Sequence, residues 1–197
     1  QKGSLSLAQL HAMIDANERI KYDTRNRNLL KTRNALLLKF LYLTAARRSE
    51  AANLKWGDLQ QDGEFQVVIL QQTKSGEPQK LKLRRELFEE LECWNETLKT
   101  NQIECEWVFP SLSFRTLGGK MSGKGVNDVV SKLGSAIGLK ISAHYLRHTA
   151  ITLALELGEP LQKVQSYARH ASANTTIRYF HDQQFLEKNP TDRLPMI

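Results

Sequence analysis

Six side chains of this chain could act together on an anion: Arg47, Lys74, His144, Arg147, His170 and Tyr179. Guanidinium and ammonium groups are strong donors to phosphate oxygens, and imidazoles exchange protons near neutrality. The phenol is a potential nucleophile, but with an ordinary pKa of about 10 it attacks poorly unless cations and a base stabilise its oxyanion. The other five residues are of the types that could do this. His144 and Arg147 are three positions apart, so at the start of a helix both project from one face. Each element alone has an ordinary structural reading. A His-x-x-Arg pair can be solvated or capping, Arg47 or Arg48 can form an internal ion pair with Glu50, Lys74 can be a plain hairpin lysine and Tyr179 a core residue. The combination is what points to phosphate chemistry.

The elements that must position these groups can be read from periodicity and caps. Ser6 and Gln9 form a capping-box pattern ahead of Leu7, Leu10, Met13 and Ile14, which predicts a helix over 6–20. A polar loop over 21–28 precedes a second, widely apolar helix over 29–44, and a short third helix is expected over 47–53. Gly57-Asp58, Asp62-Gly63 and Ser75-Gly76-Glu77-Pro78 are turn signals, so runs 65–70 and 80–83 read as strands of a small antiparallel sheet with Lys74 at a hairpin tip. Further helices are expected over 84–99, 122–137, 143–157, 160–168 and 173–182, with Gly158 ending one and Pro160 in the first turn of the next. Region 111–125, with four glycines, reads as a mobile loop and 187–197 as a tail. The fold class is α+β, mostly α-helical, with one small antiparallel β-sheet.

At 197 residues the chain suits one domain with a sizeable core. Its net charge of +7 favours an anionic partner, nucleic acid first among them. The charge is also uneven. Residues 19–39 carry seven basic residues against one acid, 115–148 carry six against one, and 84–99 carry five acids against three bases. One face is therefore expected to be basic and another acidic. Cys93 and Cys105 lack metal-ligand spacing, and neither a signal peptide nor a membrane-spanning apolar run is visible, so a reduced intracellular protein is expected. The chain opens at Gln1 in a polar stretch, which suggests a fragment.

Four segments resemble the tyrosine recombinase, or phage integrase, family. The run from Thr44 to Leu59, with Arg47 at its centre, is similar to the family's first box, and Thr73-Lys74-Ser75-Gly76 to the segment that presents its lysine. Ala143-His144-Tyr145-Leu146-Arg147-His148-Thr149-Ala150 is similar to the second box. The segment from His170 to Tyr179 is similar to the closing one. Nearly the whole chain is covered, in the family's order. The family usually has glycine where this chain has Ala45 and Arg169. Alanine stays small at a tight junction, whereas arginine brings bulk and charge beside His170, to reorient it or to contact DNA.

The resemblance implies a catalytic domain over 1–182 and a tail over 183–197 that docks in trans, with Phe185 and Leu186 as candidate anchors. The residues alone leave open that the tail instead folds back in cis or is disordered. The resemblance also implies an N-terminal core-binding domain absent from this chain. Implied too is a mechanism. Tyr179 attacks a DNA phosphodiester, leaving a 3′-phosphotyrosyl link and a free 5′-hydroxyl, while Arg47 and Arg147 hold the non-bridging oxygens. Lys74 protonates the leaving 5′-oxygen, His144 handles the tyrosine proton and His170 donates to the phosphate. A second 5′-hydroxyl can reverse the step and join a new strand without ATP. Glu50 is expected to orient Arg47 or a neighbouring histidine. No cofactor and no divalent ion are expected. Partners are double-stranded DNA and three further copies in a homotetramer on DNA, with a monomer off DNA, no membrane, and binding that weakens steeply with salt. Two alternatives differ in class: a type IB topoisomerase with a similar residue set, and a non-catalytic DNA-binding module that kept only the basic face.

Overall fold

The computed structural model describes residues 4–71 and 77–169. The α1 helix, Leu7–Arg19, starts where Ser6 Oγ accepts the Gln9 N–H at 3.1 Å and Gln9 Oε1 accepts the Ser6 N–H at 2.9 Å, so the expected capping box is present. The α2 helix, Arg27–Thr44, is the axis of the molecule. Its Leu36, Leu37, Leu38, Phe40 and Leu41 are buried over a face too wide for a surface helix, and other helices pack around it. The short α3, Arg48–Ala52, follows at once.

Three strands come next: β1 Leu59–Asp62, β2 Phe65–Leu70 and β3 Gln79–Lys82, antiparallel in the order β1-β2-β3. Only β2 and β3 were expected. The β1 run, Leu-Gln-Gln-Asp, has no apolar alternation and is mostly exposed. It becomes a strand because the Asp62-Gly63 turn, with Gly63 at φ 59°, folds it back so that Leu59 pairs with Val68 and Asp62 with Phe65. On the other edge Val67 pairs with Lys82 and Leu70 with Gln79. Lys74 belongs to the β2–β3 connection but lies outside the described residues.

The α4 helix, Arg85–Thr100, turns Leu87, Leu91, Trp94 and Leu98 inward and its glutamates outward. Trp94 Nε1 donates to the Val108 carbonyl at 2.8 Å, which satisfies the one polar atom of a fully buried indole. Region 111–125, read from the sequence as a mobile loop, contains a hydrogen-bonded turn and the start of a helix. Ser111 N–H donates to Gly119 O at 2.7 Å and Gly118 N–H to Ser111 O at 2.9 Å, closing a compact turn, and residues 123–125 already belong to α5, Gly123–Ser135. The α6 helix, Ala143–Glu156, and α7, Leu161–Ala168, complete the described chain, with Pro160 at the N-cap of α7 and Gly158 at φ 85° after α6. The expected helix over 173–182 and the tail lie outside the described residues.

Two apolar clusters result. The larger unites α1, α2, α4, α5, the sheet and the start of α6. The smaller joins Ala45 to Ala150, Ile151, Leu155, Val164 and Ala168, and so clamps α6 and α7 onto the C-terminal end of α2. A buried cation on α2, Arg33, is unannounced by the sequence. Arg33 donates to Asn34 Oδ1 from Nε at 3.1 Å and Nη2 at 2.8 Å and to Pro110 O from Nη1 at 2.9 Å, and Asn34 Nδ2 donates to the Tyr22 hydroxyl at 2.9 Å. Every polar group there gains a partner, as burial requires.

Candidate active site

The site grows from the way α2 ends. Ala45 takes a left-handed conformation, φ 48° and ψ 33°, which stops the helix, and Arg47 is extended before α3 begins. The final carbonyls of a helix have no partner four residues on, and together they form the negative end of its dipole. Here side chains from α6, α7 and the residue after α7 take them up. The Tyr167 hydroxyl donates to Tyr42 O at 3.3 Å and Leu43 O at 3.0 Å. Arg169 Nη1 donates to Thr44 O at 3.0 Å and its Nη2 to Ala45 O at 3.0 Å. Arg147 Nη1 donates to Ala45 O at 2.5 Å and its Nη2 to Ala168 O. Two guanidiniums at the negative end of a buried helix are electrostatically well placed.

Arg47 and Glu50 form the opposite wall. Glu50 is 2% exposed, and its two oxygens have separate duties. Oε1 accepts Arg47 Nη1 at 2.7 Å, whereas Oε2 accepts the Arg47 N–H at 2.7 Å and Arg169 Nη2 at 2.8 Å. Arg47 also reaches Arg169 O from Nη2 at 3.4 Å and keeps part of its side chain, 24%, open to solvent. Two guanidiniums thus share one carboxylate while a third, Arg147, sits on the Ala45 carbonyl, which leaves an excess of positive charge at the junction. Burial lowers the pKa of the Arg169 guanidinium from its ordinary value, Arg47 adds to that, and Glu50 opposes it. Burial raises the Tyr167 phenol well above its ordinary value.

Of the six residues singled out in the sequence, the fold brings Arg47 and Arg147 together on either side of the Ala45 junction. His144 is exposed in the first turn of α6, one turn before the buried Arg147. Lys74, His170 and Tyr179 lie outside the described residues, which stop at Arg169, one position before His170. The internal ion pair between Arg47 and Glu50 is present, and the expected role of Glu50 in orienting Arg47 is what the two contacts provide.

Positions 45 and 169, where the resemblance leads one to expect glycine, are both left-handed, Arg169 at φ 55°. That backbone is why glycine suits them, since a side chain there costs about 1 kcal/mol or more. Arg169 does not reach outward to DNA. Its side chain is 3% exposed and turned onto Glu50 and the end of α2. Sequence reasoning missed this role. The signals available were a basic residue directly after α7 and its departure from the glycine expected there.

The profile of the phage integrase family matches residues 4–185. A tyrosine recombinase of Synechococcus elongatus is 31% identical over 173 residues, covering 86% of this chain and 53% of that protein. The tyrosine recombinase XerA of Pyrococcus horikoshii is 32% identical over 147 residues, 75% of this chain and 50% of that protein. The chain therefore spans about half the length of the curated relatives it matches. Among solved structures, the XerH site-specific recombinase in a post-cleavage complex with its palindromic difH substrate superposes with a TM-score of 0.76 at 24% identity, over 96% of this chain and 53% of that one. The XerA recombinase does so at 0.72 and 22%, over 99% and 64%. At these identities the likeness establishes the fold.

Proposed function

The chain belongs to the phage integrase family, and from that premise we propose that it is the catalytic domain of a site-specific DNA recombinase working through a 3′-phosphotyrosine intermediate. Tyr179 would attack a backbone phosphodiester in line, forming the tyrosyl–phosphorus bond as the bond to the 5′-oxygen breaks. Lys74 would give that oxygen its proton and His144 would take the one from the phenol. Arg47 and Arg147 would hold the non-bridging oxygens as charge collects on them, and His170 would donate to the phosphate. Electrostatic donors of this kind are each worth about 3 kcal/mol in comparable sites. The covalent link keeps the phosphate activated, so a 5′-hydroxyl from another strand can reverse the step without a nucleotide cofactor.

The observation that carries this reading is the convergence of Arg47 and Arg147 on the Ala45 junction, each held by buried partners before any substrate arrives. Preorganised cations of fixed geometry are what a developing phosphorane charge requires. The basic runs 19–39 and 115–148 give a duplex something to bind, and the DNA complex of the related XerH fits the same picture. A tetramer on DNA, with residues 183–197 lent to a neighbouring copy, completes the proposal.

The decisive experiment uses a nicked suicide duplex that traps the covalent product. Wild-type protein should form a denaturation-resistant adduct, and Tyr179→Phe should form none while binding the duplex with nearly unchanged affinity. An adduct formed by the Phe variant would place the nucleophile elsewhere. Failure of the wild type to form one on any cognate duplex would overturn the reading.

A further inference from the structure

Resting on that reading of the site, we infer that Arg169 is a positioning residue for Arg47, acting through Glu50. The carboxylate has two oxygens and three donors. Oε1 serves the Arg47 guanidinium at 2.7 Å, and Oε2 is shared between the Arg47 N–H at 2.7 Å and Arg169 Nη2 at 2.8 Å. The contact from Arg169 fixes the rotation of the carboxylate, which decides where Oε1, and with it the Arg47 fork, points. The backbone contributes as well, because Arg169 O accepts Arg47 Nη2 at 3.4 Å.

Arg169 is itself held hard. Its Nη1 donates to Thr44 O and Tyr167 O, its Nη2 to Ala45 O, and its side chain is 3% exposed. The Arg147 guanidinium meets it on the same Ala45 carbonyl, at 2.5 Å against 3.0 Å. One buried side chain therefore ties the end of α2, the carboxylate of α3 and, through a shared acceptor, the arginine of α6. It does so from a backbone, φ 55°, that disfavours any side chain. A buried cation on strained backbone persists only where its contacts outweigh both costs. The group it can organise here is Arg47, the most exposed of the three guanidiniums and hence the one with freedom to lose.

The test uses the 197-residue chain and three variants: Arg169→Gly, which suits the left-handed backbone and so should fold, Arg169→Gln and Arg169→Lys. Two readouts are taken, single-turnover adduct formation on the nicked duplex and the ¹⁵N resonances of the Arg47 guanidinium. Gly and Gln should slow adduct formation about tenfold or more with affinity for the duplex changed less than about threefold, and Lys should recover part of the rate. The separate Nη signals of a restrained Arg47 should merge in Gly and Gln. If the wild type forms adduct and Gly and Gln match its rate, the inference fails while the functional reading stands. If adduct formation, affinity and melting temperature of Gly and Gln fall in parallel, with no recovery by Lys, Arg169 is scaffold only and the inference is overturned. If the wild type forms no adduct the functional reading fails, and the Arg47 resonances alone decide: merged supports positioning, still separate overturns it.

Discussion

Arg147 on α6 and Arg169 after α7 meet at one oxygen, the carbonyl of Ala45, which accepts Nη1 of the first at 2.5 Å and Nη2 of the second at 3.0 Å. Two buried guanidiniums so close would repel each other severely without compensation. The negative end of α2 and the Glu50 carboxylate provide it. Arg147 bridges Ala45 O and Ala168 O with separate nitrogens, which a lysine ammonium at that position cannot reproduce in the same plane. Arg147→Lys is expected to lower folding stability by about 2 kcal/mol, read as a urea midpoint, and to slow adduct formation about a hundredfold.

Glu50→Gln removes the carboxylate that Arg47 and Arg169 share and keeps the volume. Leaving the buried Arg169 and the partly exposed Arg47 without their counter-ion should cost about 3 kcal/mol. Adding Arg169→Gln to Glu50→Gln should then destabilise less than the sum of the single changes, because the second removes a charge the first left unpaired. Equilibrium unfolding of the four proteins checks both statements.

Gln102 offers a change remote from the site. It follows α4 at φ 59° and is exposed, with the Ile103 N–H closing onto Leu98 O at 2.9 Å, the C-terminal turn that normally carries glycine. Gln102→Gly should raise stability by about 0.5–1 kcal/mol, seen as a higher melting temperature with DNA affinity unchanged.

Alkaline pH should unfold the domain. Burial raises the pKa of Tyr22, Tyr42 and Tyr167, so each folded value lies above the unfolded one. Their contribution is complete below the unfolded pKa of about 10 and is lost as pH rises through the folded values. Arg33 and Arg169 oppose them, since burial lowers both pKa values, that of Arg33 to about 10, and the cost of a buried cation is relieved as pH rises through the lowered value. With three phenols against two guanidiniums, urea midpoints should fall above pH ~10. Phenolate absorbance from the native protein should lag behind that of the urea-unfolded chain.

The helices were legible because burial of α1, α2 and α4 follows a 3.6-residue apolar pattern that caps bound locally, as Ser6 and Gln9 do. β1 was not legible, because nothing in Leu-Gln-Gln-Asp prefers a strand until the edge of β2 offers it partners. Arg33 was invisible for a similar reason. A cation amid an apolar helix face gives no sign of which distant carbonyl will receive it, and here that is Pro110.

The candidate site divides along the same line. Residue types and their order were sufficient to propose Arg47, Lys74, His144, Arg147, His170 and Tyr179 as a phosphate-handling set and to read the chain as mostly helical, since side-chain chemistry and periodicity are written locally. Only the tertiary structure decided that Arg47 and Arg147 flank one left-handed junction, that Glu50 divides its oxygens between two arginines, and that Arg169 points inward. Those facts depend on where the end of α2 meets α6 and α7. That meeting is set by packing around Ala45, Ile151 and Val164, residues far apart in the chain whose proximity no local pattern encodes.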